Sequence, residues 1–161
     1  MKRLISILLF IPFCCFLSCS KENSYRELSP DQAFTLVQDA LENGEDLTRA
    51  DPDFMESNLH ASKYVESGCV CFGDGDPERE IGFFLLRDER DLAAFKEEIL
   101  AYLSRERESL ASLAALYPQG ALEARLALYQ SPCIGERGKL LWYFVMDAQD
   151  TAIALDALRQ A

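Results

Sequence analysis

The chain of 161 residues contains one histidine, so a Ser-His-Asp or Cys-His device has a single residue to draw on and a metal site built on paired histidines is excluded. It has no Gly-rich phosphate loop, no Gly-x-Ser-x-Gly elbow and no dinucleotide fingerprint, which removes the legible signatures of nucleotide-dependent and serine-hydrolase chemistry. Positive charge is scarce: 16 Lys and Arg stand against 27 Asp and Glu, a net charge of −11. Such a surface repels phosphate backbones, which argues against a nucleic-acid partner. Long hydrophobic runs are also few. The uncharged stretch from Leu4 to Ser18 is shorter than the roughly 20 residues that a membrane-spanning helix needs.

That stretch follows Met1-Lys2-Arg3 and gives way to Ser20-Lys21-Glu22-Asn23-Ser24, the layout of a secretory signal. Phe16-Leu17-Ser18-Cys19 resembles a lipobox, with a small residue before the cut and a cysteine after it, although Phe16 stands where such motifs prefer Leu. Cys14 and Cys15 are poorer sites, following Phe13 and Cys14 instead of a small residue. The alternative is an ordinary signal peptide with an incidental cysteine. The reading divides the chain into a signal peptide at 1–18, lipidated Cys19 with a tether at 19–29, and a single domain at 30–161. Each buried acyl methylene contributes about 0.8 kcal/mol, so more than one chain of the palmitate type makes a lasting anchor. The expected address is the cell envelope, on the inner or outer membrane, facing the periplasm or the exterior. The expected partners are the membrane, through the anchor, and a protein of the envelope.

Loss of Lys2 and Arg3 with the leader takes the net charge to near −13. A solvated acidic surface explains this, with a face for cations or basic proteins as the sharper account. Cys69, Cys71 and Cys133 remain beside Cys19. A Cys-x-Cys spacing in a strand puts both thiols on one face, so Cys133 on a neighbouring strand could pair with either in an oxidising compartment. Buried free thiols and a weak zinc signature are the alternatives.

Ser29-Pro30-Asp31-Gln32 predicts a capped helix with Phe34, Val37 and Leu41 on one side, stopped by Asn43-Gly44. A shorter helical piece follows Asp51-Pro52. Lys63 to Phe72 and Glu80 to Arg87 predict a β-hairpin around Gly73-Asp74-Gly75-Asp76-Pro77. Leu92, Phe95, Ile99, Leu103, Leu110 and Leu113 recur at helical spacing in a long helix that Tyr117-Pro118 stops. The last third reads as a strand at Leu122 to Tyr129, a loop at Pro132 to Gly138, a buried strand at Lys139 to Met146 and a helix at Asp147 to Arg159. Leu122 to Leu128, rich in Ala and Leu, is also compatible with a helix. The fold class expected is α+β: a four-stranded antiparallel sheet in ββα-ββα order with helices on one face, preceded by one or two N-terminal helices.

Few constellations point to chemistry. His60 reads as a surface or helix-terminal residue. Asp74, Asp76 and Glu78 place carboxylates in one turn, a weak calcium candidate that neither register converts into an EF-hand loop, and hairpin loops use the same residues. Trp142-Tyr143-Phe144 reads as core with one covering aromatic. No cofactor, no metal and no catalytic residue is nominated.

The order of parts resembles the family of short bacterial lipoproteins termed domain of unknown function 4358. The resemblance runs from Glu27 to the C-terminus: a capped first helix, a strand opening Glu80-Ile81-Gly82-Phe83, a long helix ending near Tyr117-Pro118, a strand start at Gly138-Lys139 and a final helix after Asp147. It implies an envelope address and this fold, and it implies no catalytic residues. The expected function is a lipid-anchored, non-enzymatic module that binds a protein or peptide; the alternative is an envelope hydrolase or other enzyme using dispersed carboxylates.

Overall fold

The computed structural model describes residues 28–74, 78–117 and 120–161. Helix α1 (Pro30–Ala40) opens with a complete capping box, in which the Ser29 hydroxyl accepts from Gln32 N–H and the Gln32 side chain accepts from Ser29 N–H. Asn43, in the left-handed region at φ 58°, turns the chain into the short strand β1 (Leu47–Arg49). Helix α2 (Asp53–Leu59) ends at His60, also left-handed at φ 49°.

The hairpin is where the sequence places it, as β2 (Val65–Gly73) and β3 (Glu80–Leu86). After β3 come the long helix α3 (Leu92–Leu116), helix α4 (Gly120–Tyr129), β4 (Cys133–Arg137), β5 (Leu140–Val145) and α5 (Ala148–Gln160). The strands form one antiparallel sheet in the order β1-β2-β3-β5-β4.

Three expectations are corrected. Leu122 to Tyr129 is helix α4, because a run of Ala, Leu, Glu and Arg without a β-branched residue favours the helix. The segment Pro132 to Gly138, read as a loop, carries β4, an edge strand that β5 needs as its hairpin partner. The sheet has five strands, not four, and helices cover both of its faces.

Two apolar clusters explain the second layer. Ile81, Phe83, Leu140, Trp142 and Phe144 point to α1 and α5, while Phe84, Leu86, Leu141, Tyr143 and Val145 point to α2, α3 and α4. The central strands are buried on both faces, which is why they read as unbroken apolar runs. Burial on α3 stops at Leu110; Leu113, assigned above to the apolar stripe, is 43% exposed and Leu116 is 73% exposed. Among the described residues no helix is long and apolar enough to cross a membrane.

Candidate functional site

The helical layer of α3 and α4 closes over the one charged side chain among the described residues that is fully buried. Glu80 opens β3, where strand alternation directs it to the same face as Phe84 and Leu86, and it is 1% exposed. Three phenols meet its carboxyl group: Tyr102 from α3 donates to Oε1 at 2.9 Å, Tyr143 from β5 donates to Oε1 at 2.5 Å, and Tyr129 from the end of α4 donates to Oε2. One carboxylate therefore ties both helices of the α3–α4 pair to the two central strands.

The position is cramped by design of the strand. Gly82, two residues along β3, lies under the Tyr143 ring, and a Cβ there would come within 2.4 Å of Tyr143 Cε1. The Tyr102 ring is held edge-on by Phe54 of α2, with centroids 5.7 Å apart.

Burial pushes the Glu80 carboxyl above the usual carboxylate range, and the three phenol donors work against that shift. Burial raises all three tyrosines as well, reinforced by the Glu80 charge, so none of them gives up its proton at physiological pH. On the outer side Arg125 of α4 approaches Tyr129, and its guanidinium pairs with Glu78 at 2.6 Å. Glu80 resembles a tuned acid in its shift, but the cavities described below are lined by other residues. Its chemistry is to hold elements together through charge-assisted hydrogen bonds.

The other sequence candidates are scattered. Glu78, one of the three calcium candidates, is engaged by Arg125; Asp74 is exposed, and Asp76 lies outside the described residues. No group of three or more potential metal-ligating side chains occurs among the described residues. His60 is exposed at the end of α2, with Nδ1 3.2 Å from Glu98. Cys69 and Cys71 share the α1 face of β2, both as free thiols. Cys133 is on that face too, but its strand is not a neighbour: the row runs Cys71, Ile81, Phe144, Cys133, three strand spacings or about 14 Å. That span exceeds what a disulfide bridges, so the expectation that Cys133 pairs with either of them does not hold in this topology. Cys19 lies outside the described residues.

Sequence reasoning missed the Glu80 cage. Its traces were a lone Glu at the head of an otherwise apolar strand, and tyrosines at core positions: Tyr102 is three residues from Ile99 and seven from Phe95.

Two open apolar grooves lie on the surface of the described residues. One, of about 490 Å³, lies between the end of α4 and α5, with Leu128, Met146 and Leu155 among its lining and Ser131, Asp147 and Thr151 supplying polar groups. A second of the same size lies against α1, lined by Leu28, Thr35 and Leu36, with Ala161 closing it. Comparison with protein-family models, curated proteins and solved structures finds no match to this chain.

Proposed function

We propose that the chain is a lipid-anchored protein of the bacterial cell envelope, held by acylated Cys19, whose α+β domain is a non-enzymatic module binding a protein or peptide. Support for the anchor comes from the leader, the Phe16-Leu17-Ser18-Cys19 motif and the resemblance to the family of short lipoproteins. The first cap of the domain, Ser29, stands ten residues beyond Cys19, so an extended tether reaches about 34 Å at most. The domain works at the membrane surface.

The observation that carries the binding reading is the division of labour between polar groups. The one fully buried acid among the described residues is spent inside the fold on three phenols, while the α4–α5 groove offers an apolar floor and unburied polar groups to the outside. The acidity of the chain selects the occupant: a partner segment with apolar side chains flanked by basic ones.

A photo-cross-linking residue at Ser131, exposed on the groove rim, tests this in intact cells. The expected result is an adduct of defined mass that disappears when Ala152→Arg fills the groove, with melting temperature unchanged because Ala152 is exposed on α5. An adduct that survives Ala152→Arg, or no adduct at all, contradicts the reading.

A further inference from the structure

The inner face of β2 holds a pair of thiols that the binding reading does not use. Cys69 and Cys71 alternate with Val70, so both sulfurs lie on the α1 side of the sheet. Both are buried, Cys69 at 5% exposed and Cys71 at 0%, and Cys69 is the one that borders open space. Strand β1 stops at Arg49, opposite Cys71, so the stretch of β2 around Cys69 has no paired strand outside it. A cavity of about 210 Å³ opens there, lined by Arg49, Asp51, Pro52, Met55, Gly68 and Cys69. Cys71 is fully buried behind it.

The surroundings polarise the pair in one direction. The neighbouring Cys71 thiol, with the Arg49 guanidinium close by, holds Cys69 below the usual thiol range against the opposing effect of burial. The closeness of the Cys69 sulfur, together with burial, pushes Cys71 far above that range. Arg49 pairs with Asp31 at 2.7 Å and stands over the Phe34 ring at 5.1 Å, which brings its charge to this corner. The acidic Asp31 offsets part of that charge.

We infer that Cys69 and Cys71 are a redox-active dithiol, with cavity-facing Cys69 attacking a disulfide of a small thiol compound and buried Cys71 resolving the product. In the first step Cys69 thiolate bonds to one sulfur of the small disulfide, the S–S bond of that molecule breaks, and one thiolate leaves. In the second, Cys71 passes its proton to the departing thiolate and attacks Cys69 Sγ; the Cys69–Cys71 bond forms and the second small thiol is released. Two protein thiols are oxidised and one disulfide is reduced to two thiols. Resolution is intramolecular, so the burial of Cys71 is no obstacle.

The strand also sets how firmly the product holds. Residues two apart in a strand are about 6.6 Å apart between Cα atoms, at the upper end of what a disulfide spans. Closing the bond draws in a strand already paired to β1 and β3, so the product is strained and readily reduced. The pair is built to cycle, unlike a structural crosslink.

The test uses the full-length protein, purified in detergent, reduced and then exposed to oxidised glutathione, with intact mass and peptide mapping over time. The expected course is a transient glutathione adduct on Cys69, replaced by a Cys69–Cys71 crosslink that mild thiol reverses, at a rate about tenfold or more above adduct formation at Cys133, since thiolate fraction sets the rate. Cys71→Ser is expected to arrest the reaction at the adduct. The wild-type time course decides the matter even if that variant folds poorly. Modification of Cys133 first, or reaction of Cys69 and Cys71 only after unfolding in urea, overturns the inference.

Discussion

Removing single hydroxyls from the cage around Glu80 probes it with almost no change of shape. Oε1 accepts from Tyr102 and Tyr143, whereas Oε2 accepts from Tyr129 alone. Tyr102→Phe therefore leaves Oε1 with one donor, and its expected cost is that of an ordinary hydrogen bond, about 1 kcal/mol. Tyr129→Phe leaves Oε2 with no donor from the cage in a site that is 1% exposed. A hydrogen bond to a charged group is worth about 1.5–3 kcal/mol, and the stranded oxygen adds a desolvation penalty of similar order, so about 3 kcal/mol is expected. The ordering survives protonation, because a protonated Oε2 donates to the Tyr129 oxygen and loses that acceptor in the same variant. Urea unfolding followed by circular dichroism near neutral pH measures both costs, and repeating each in a Glu80→Gln background isolates the coupling. Equal costs, a larger cost for Tyr102→Phe, or no coupling to residue 80 would refute the cage as the clamp between sheet and helices.

Other perturbations bear on the same region. Because burial raises the Glu80 pKa in the folded state, the folded chain keeps a proton that the unfolded chain gives up; stability from this group is complete below the ordinary glutamate pKa and is lost as pH rises through the folded value. Urea midpoints of the wild type, measured against Glu80→Gln at each pH, are expected to fall relative to the variant across that window, and a constant difference would contradict the shift. Gly82→Ala must displace the Tyr143 ring from a contact of 2.4 Å, at an expected cost of about 1–3 kcal/mol by the same unfolding assay. Arg79, which pairs with Asp150 of α5 at 3.0 Å and donates to the Asn43 carbonyl at 3.0 Å, joins the α1 turn, the hairpin and the last helix. Arg79→Ala is expected to cost about 2–4 kcal/mol, since it strands a largely buried carboxylate, and to raise hydrogen exchange in α5.

What the sequence revealed was what is decided locally. The Ser29 capping box, the turn at Asn43-Gly44, the β2–β3 hairpin and the closing helix from Asp147 each depend on residues within a few positions, and each appears in the structure. The strand β4 was invisible because Cys-Ile-Gly-Glu-Arg is short, half polar and interrupted by glycine; it is a strand through pairing with β5, with Gly135 making room for the Trp142 ring. The helices on both faces have a legible sign: Phe83-Phe84 and Trp142 to Val145 do not alternate, as strands covered on both sides do not. Glu80 could be read as strand-opening polarity, but its partners come from positions 102, 129 and 143, and no local pattern reports a contact made by four separate elements.

The central claim, that acyl chains on Cys19 hold this domain to a membrane, is tested most directly by metabolic labelling with a clickable fatty acid in cells producing the wild type and Cys19→Ala. The account predicts label and membrane fractionation for the wild type, and loss of both in the variant. An unlabelled wild type, together with a Cys19→Ala protein that still fractionates with membranes, would contradict it.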